Sequence, residues 1–311
     1  MRVIFILAVV LITSCSKSNH SVKLNFHKDL IPEGIAIDPV SQKVYLNSLF
    51  KNKIVRSNLD GTQPEVFIES NQFGYLSGFG MTIKGDTLFA LGNSHTGPDN
   101  QSILLLLDVS TGQLINTYLL KNFDKSYLND IAVGHNGNFY ITDSEHSAIY
   151  TQNKKNGHLE IYFSNTEIQH PNGITVSDNG QYLYIASMKS GIRILDIATK
   201  KLLNFPNDHK GIDGMKFYKN TLICIVNARR NPEKNGIFQF TLNKSGTKIT
   251  GQSKLGSFEN PTDIPTTFAI HNNHMYYVAD SQMDMFDETS DQIIDTSKLE
   301  DYHLIQLNLN P

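Results

Sequence analysis

Only 2 of the 311 residues are cysteine and none is tryptophan. Neither a disulfide framework nor a thiolate zinc site can be built from so few thiols. No block of basic residues exists: 27 Lys and Arg are dispersed against 30 Asp and Glu, for a formal net charge of −3. Such a chain lacks the electrostatic footprint that nucleic acid requires, so no nucleic-acid partner is expected. Charged residues are also few, 18% against 40% apolar, which excludes a disordered chain. Helical periodicity is nearly absent. There is no Gly-x-Ser-x-Gly elbow, phosphate-binding loop or dinucleotide fingerprint, which removes the common serine-hydrolase and nucleotide-binding readings. The length suits one large domain or two ordinary ones.

Long apolar runs are missing too, apart from residues 3–12. Ten residues cannot span a bilayer as a stable helix, but they suit the apolar region of a secretory signal. The run ends in Ile12-Thr13-Ser14-Cys15, which resembles a bacterial lipobox. Residues 1–14 are therefore expected to be a lipoprotein signal peptide, with Cys15 lipidated and residues 15–21 forming the lipidated cysteine and a polar tether. Residues 22–311 would then be an extracytoplasmic body of the bacterial cell envelope, periplasmic or at the surface, a monomer touching the membrane through its lipid alone. An ordinary cleaved signal is the plain alternative. Cys224 lies in the apolar run Thr-Leu-Ile-Cys-Ile-Val and reads as an inert core thiol.

What the chain does contain is a repeat. Short runs rich in Val, Ile, Tyr, Phe and Leu recur between Gly, Asn and Asp turns, as strands do. One phrase returns: Glu33-Gly-Ile-Ala-Ile37, Asn129-Asp-Ile-Ala-Val133, Asn172-Gly-Ile-Thr-Val176 and Asp213-Gly-Met-Lys-Phe217, with weaker copies at Phe79-Gly-Met-Thr-Ile83 and Thr266-Thr-Phe-Ala-Ile270. The six are spaced by 46, 50, 43, 41 and 53 residues. A second strand follows each, at 43–48, 87–94, 138–144, 181–187, 221–228 and 274–281, and room remains for a third and a fourth. This period, with four strands per unit, predicts an all-β fold, a six-bladed β-propeller of four-stranded antiparallel blades. The last unit is one strand short, and the alternating Val-Lys-Leu-Asn-Phe at 22–26 is predicted to complete it beside 303–309, closing the ring and hiding its edges. A two-sheet sandwich is the rival, but it gives no reason for a polar residue to recur at one place.

In a propeller the residue just before each innermost strand faces the axis at one end of the channel. Glu33, Asn129, Asn172 and Asp213 share that place, so two carboxylates and two amide oxygens should converge. Hard oxygen donors suit a divalent cation, Ca²⁺ first, with Mg²⁺, Mn²⁺ or Zn²⁺ as substitutes. Against this, Asn-Gly and Asp-Gly are ordinary turn pairs.

Ile31-Pro-Glu-Gly-Ile-Ala-Ile-Asp38, Leu128-Asn-Asp-Ile-Ala-Val133, Pro171-Asn-Gly-Ile-Thr-Val176 and Ile212-Asp-Gly-Met215 together resemble the SMP-30/gluconolactonase/LRE-like family, which takes in regucalcin, sugar lactonases and, more distantly, diisopropylfluorophosphatase and the paraoxonases. The resemblance runs from about residue 23 to 309. It implies a metal-dependent hydrolase of lactones or related esters. In the lactonase branch the residues matching Glu33, Asn172 and Asp213 hold the metal while the one matching Asn129 lies beside it and contacts substrate; in the phosphatase branch all four bind calcium. Sugar-acting members carry a basic residue where this chain has Tyr127, which weighs against sugar-acid lactones. Phe79 stands where paraoxonases place a catalytic histidine, which weighs against their arylesterase mechanism. Asn129, Tyr127, Phe79 and His146 are the expected substrate contacts.

The expected chemistry is polarisation of a lactone carbonyl by the cation, with Asp213 as general base for the attacking water. A reading of another class stays open: a lipid-anchored, non-catalytic propeller of the NHL-repeat kind that binds a ligand, glycan or protein. Finally, the loop 281–302 carries many Asp and Glu together with Met283, Met285 and Phe286. It is either a solvated acidic loop or a lid whose three apolar residues face the site, with Arg229 or Arg230 opposite.

Overall fold

The computed structural model describes residues 20–95, 100–122, 126–227 and 232–310. Six four-stranded antiparallel sheets follow one another in chain order, and the protein is a six-bladed β-propeller. Their innermost strands are Ile35–Asp38, Ser77–Lys84, Leu128–Val133, Pro171–Val176, Ile212–Tyr218 and Ala269–His271, numbered here as blades 1 to 6. Each is followed by the second strand anticipated from the repeat, the first being Lys43–Asn47 and the last His274–Val278. The helical elements among the described residues are short 3₁₀ turns, none long and apolar enough to cross a membrane.

Blade 6 draws its outer strand from the other end of the chain. His20–Leu24 pairs antiparallel with Tyr302–Asn308, Val22 facing Leu304 and Lys23 facing His303. This is the closure expected from 22–26, with the strand running two residues earlier. Residues 20 and 21, assigned to the tether, thus lie within the outer strand; Cys15 and the signal region fall outside the described residues. Tyr302 fastens the seam from inside: its hydroxyl donates to the Lys28 carbonyl at 2.6 Å and accepts from the Ile31 N–H at 2.9 Å.

A four-stranded sheet has two apolar faces and cannot cover both, so the core lies between blades. Ala36 and Tyr45 of blade 1 pack with Met81, Leu88 and Leu105 of blade 2. Ile223 and Ile225 of blade 5 pack with Phe268, Met275 and Tyr277 of blade 6. Each fully buried side chain of this size contributes roughly 1.5–3 kcal/mol relative to exposure. Cys224 is fully buried among such residues, and burial pushes its thiol well above the ordinary range.

Around the axis the starts of the innermost strands almost touch. A Cβ on Gly34 would collide with the Phe79 carbonyl, and one on Gly173 with the Asp213 carbonyl. The glycine after the recurring polar residue is therefore required for the approach of neighbouring blades. A bulge sits at the same place in blades 2 to 5, as between Pro171 and Ile174 or Ile212 and Met215, and turns the strand start toward the axis.

The segment between Ser281 and Tyr302 differs from the irregular loop expected there. It folds into a 3₁₀ turn at Met283–Met285, a two-stranded hairpin pairing Phe286–Asp287 with Gln292–Ile293, and a second turn at Thr296–Lys298. Its base is clamped: Gln282 accepts from the Glu300 N–H at 2.7 Å and donates to the Glu300 carbonyl at 3.1 Å.

Candidate functional site

Glu33, Asn129, Asn172 and Asp213 all occupy the starts of innermost strands at one end of the channel, and hydrogen bonds link those starts around the ring. Thr266 Oγ1 donates to the Glu33 carbonyl at 2.7 Å, and the Gly214 N–H donates to the Thr266 carbonyl at 2.9 Å. Thr142 Oγ1 donates to the Asn172 carbonyl at 2.8 Å. Ser144 Oγ donates to the Pro171 carbonyl at 2.7 Å and accepts from Asn129 Nδ2 at 3.2 Å. That last contact fixes the Asn129 amide with its oxygen turned away from Ser144.

Glu33 and Asn129 are only 5% and 8% exposed. Three oxygens here, Glu33 Oε2, Asn129 Oδ1 and Asn172 Oδ1, are buried and accept no hydrogen bond. Buried polar atoms in folded proteins almost always have partners, and leaving one bare costs on the order of 1–3 kcal/mol. Asp213 Oδ2 accepts from Asn227 Nδ2 at 2.5 Å, and the same amide donates to the Pro265 carbonyl at 3.1 Å, which holds the carboxylate in place. The Glu33 carboxyl is pushed well above its ordinary range, first by burial and then by the charges of Asp213 and Asp130, with Lys216 opposing them and Glu288 adding to the rise. An acid so placed needs a cation to stay ionised.

Among the described residues no group of three or more His, Cys, Asp or Glu side chains is arranged to hold a metal. The set at the channel mouth is of another kind, two carboxylates with two amides, and its bare oxygens fit a hard divalent cation.

The four expected substrate contacts lie on the blade 2 and blade 3 side of this end. Tyr127 is partly buried, with its ring edge-on to Phe79 at 4.6 Å between centroids. Phe79 is 1% exposed and forms the floor beneath Tyr127. His146 Nδ1 is 2.8 Å from Asp143 Oδ2, and Asp143 Oδ1 accepts from the Tyr127 N–H at 3.1 Å. His146 is thus tied to the blade 3 strand ends beside Asn129.

The segment after Ser281 covers this side. Phe286 stacks edge-on to His95 at 5.6 Å, and His95 lies 5.8 Å from Phe79. Met283 and Met285 pack on the same cluster. Glu288 Oε1 accepts from the Tyr127 hydroxyl at 3.2 Å, while Oε2 lies 3.8 Å from His95 Nδ1. Burial first, and then the Glu288 charge, raises the Tyr127 hydroxyl above its usual range. Arg229 and Arg230, expected to oppose the acidic stretch, fall outside the described residues.

Sequence reasoning passed over several residues here. Asn47, Asn93, Asp143, Asn227 and Asp280 stand at or just past the ends of second strands and bond the chain at or before an innermost strand: Asn47 Oδ1 accepts from the Gly34 N–H at 2.7 Å, Asn93 Oδ1 from the Leu128 N–H at 2.9 Å and Asp280 Oδ1 from the Ile264 N–H at 3.1 Å. Their signal was an Asn or Asp, followed in four of the five cases by Ser, at one place in the repeat. Asp130, Lys216 and Glu288 carry no site signal of their own in the sequence, whereas His95, which follows the second strand of blade 2, is expected at this face as a possible substrate contact.

No sequence-family model matches the chain, and no curated protein does. Solved structures do. A gluconolactonase from Xanthomonas campestris superposes with a TM-score of 0.60 at 14% identity, covering 94% of this chain and 90% of that one. Regucalcin from Agrobacterium tumefaciens, described as a calcium-binding protein, gives 0.56 at 15% identity, covering 89% and 90%. Virginiamycin B lyase from Staphylococcus aureus gives 0.57 at 14%, covering 93% and 99%. These neighbours include two SMP-30-like six-bladed propellers and a lyase, and at such identity the likeness establishes the fold this chain shares with them.

Proposed function

We propose that the protein is a divalent-metal-dependent hydrolase of a lactone or related ester, anchored in the bacterial cell envelope through Cys15. The observation that carries this reading is the set of bare buried oxygens on Glu33, Asn129 and Asn172, gathered with Asp213 at one channel mouth. Glu33, Asn129, Asn172 and Asp213 would hold the ion, with Ca²⁺ favoured by the all-oxygen donor set. When bound, such an ion supplies a Lewis acid for a carbonyl oxygen and for the charge that develops on it.

The chain's own residues do the rest. Asp213 is held by Asn227 and accepts the proton of the attacking water on its carboxylate. Asn129, whose amide nitrogen donates to Ser144, would offer its free oxygen to the ion or the substrate. Tyr127 lines the wall with its hydroxyl engaged by Glu288, and Phe79 supports it from below. The covering segment excludes water from that side.

Hydrolysis of a panel of lactones and phenyl esters, with and without chelator, tests the reading. Chelator-sensitive turnover supports it. Metal uptake without turnover on any member would favour the alternative, a propeller that binds a ligand and transforms nothing.

A further inference from the structure

The second and fourth positions of the recurring phrase are mostly small, uncharged residues. The second is Gly34, Gly80, Gly173 and Gly214, with Thr267 in blade 6 and Asp130 in blade 3. The fourth is Ala36, Thr82, Ala132, Thr175 and Ala269, with Lys216 in blade 5. Each column thus contains one charged residue, and those two meet in space. Lys216 Nζ lies 3.4 Å from Asp130 Oδ2 and 3.5 Å from Oδ1. Blades 3 and 5 are not neighbours, so the lysine reaches past blade 4 along the channel wall to make the contact.

Asp130 is built into the wall. It is 1% exposed, accepts from its neighbour Ile131 N–H at 2.8 Å and from the blade 4 Ile174 N–H at 3.2 Å. A Cβ on Gly80 of blade 2 would lie 2.8 Å from its Oδ1. This carboxylate therefore packs against or bonds four blades, and Lys216 is its cationic partner. A buried carboxylate without a counter-charge is strongly unfavourable, and the neighbouring mouth already gathers the carboxylates of Glu33 and Asp213.

We infer that the Lys216 ammonium is a built-in channel cation: it neutralises Asp130, so that the propeller takes up one divalent ion at the mouth and none beside Asp130. The stoichiometry rests on the metal reading above; the role of the ion pair does not. Asp130 and Lys216 are positioning residues, acting on the mouth through its field.

Calorimetric Ca²⁺ titration and melting with chelator or with Ca²⁺, on the mature chain, test this with Lys216→Met, Asp130→Asn and the double variant. The wild type should bind one Ca²⁺. Lys216→Met should melt about 5–15 °C lower in chelator and gain more from Ca²⁺ than the wild type does, because Ca²⁺ replaces the lost charge. The double variant should recover most of the loss and lose the extra Ca²⁺ response. Asp130→Asn, which leaves the ammonium unopposed, should weaken Ca²⁺ binding roughly tenfold or more. Two ions in the wild type, or a Lys216→Met protein as stable in chelator as the wild type, would overturn the inference. If Lys216→Met does not fold, the double variant decides, since its folding supports the pairing and its failure contradicts it. A wild type that takes up no Ca²⁺ defeats the metal reading, while the Ca²⁺ response of Lys216→Met and its loss in the double variant still decide the role of Lys216.

Discussion

Two polar clusters lie side by side on the channel wall, and they are built on opposite terms. Asp130 is fully supplied, with two backbone donors and the Lys216 ammonium. One residue away in sequence, the Asn129 oxygen has no partner, and neither do Glu33 Oε2 and Asn172 Oδ1. The same strands can evidently satisfy a buried carboxylate when its task is structural. Bare buried oxygens beside it are the exception among buried polar atoms, and on the reading proposed above they are kept for a ligand. The repeat explains the division: Asp130 and Lys216 break their columns and complete each other, whereas Glu33, Asn129, Asn172 and Asp213 share one column, at the starts of innermost strands.

The largest effect should come from removing the two carboxylates of the channel-mouth set. Glu33→Gln and Asp213→Ala are expected to lower Ca²⁺ affinity by about 100-fold or more, since each removes one of two anionic ligands, and to abolish chelator-sensitive hydrolysis. Folding should survive. In chelator, Glu33→Gln should melt no lower than the wild type, because it removes a carboxyl that burial and its neighbours disfavour. Retained Ca²⁺ affinity in both variants would remove these residues from the site.

A smaller effect is expected at the cover. Deleting residues 283–288 removes Phe286 from His95 and Glu288 from Tyr127, yet leaves the Gln282–Glu300 clamp and the blades intact. KM or substrate preference should change several-fold while Tm moves little. An unaltered substrate profile would make the segment a passive surface loop. Tyr127→Phe, which removes the hydroxyl that donates to Glu288, should shift KM in the same direction by less, and an effect larger than the deletion's would contradict a covering role for the segment.

The smallest effect concerns a carboxyl that belongs to neither cluster. Asp263 is raised to about 6, chiefly by burial and then by Asp280. Its charge opposes folding fully above about pH 6, and the penalty fades as pH falls toward 4 and the folded protein keeps the proton. Asp263→Asn should therefore melt roughly one or two degrees higher than the wild type at pH 7–8, the group being partly solvated. The difference should shrink on acidification, and a constant or growing difference would exclude the assignment.

Much of the fold was legible because it repeats. Six copies of one phrase, each followed by a second strand, specify six blades, and the missing strand of the last unit points to the N-terminal residues that pair with Tyr302–Asn308. The candidate ligands were legible for the same reason. What escaped were departures from the repeat and contacts between distant segments. Asp130 and Lys216 look unremarkable until their columns are aligned, and their pairing across blade 4 has no local signature. Glu288 lies 161 residues from Tyr127, in a segment whose two-stranded hairpin has no counterpart among the described residues of the other blades. The apolar residues 283, 285 and 286 hinted at a cover, but its hairpin is too short to leave a strand pattern.

The most direct test is a crystal structure grown with Ca²⁺, or with Mn²⁺ for its anomalous signal. One ion should lie at the channel mouth, with oxygens of Glu33, Asn129, Asn172 and Asp213 at about 2.3–2.6 Å for Ca²⁺, and Lys216 should remain on Asp130. No ion at that point under saturating metal, or an ion seated against Asp130 instead, would contradict the account.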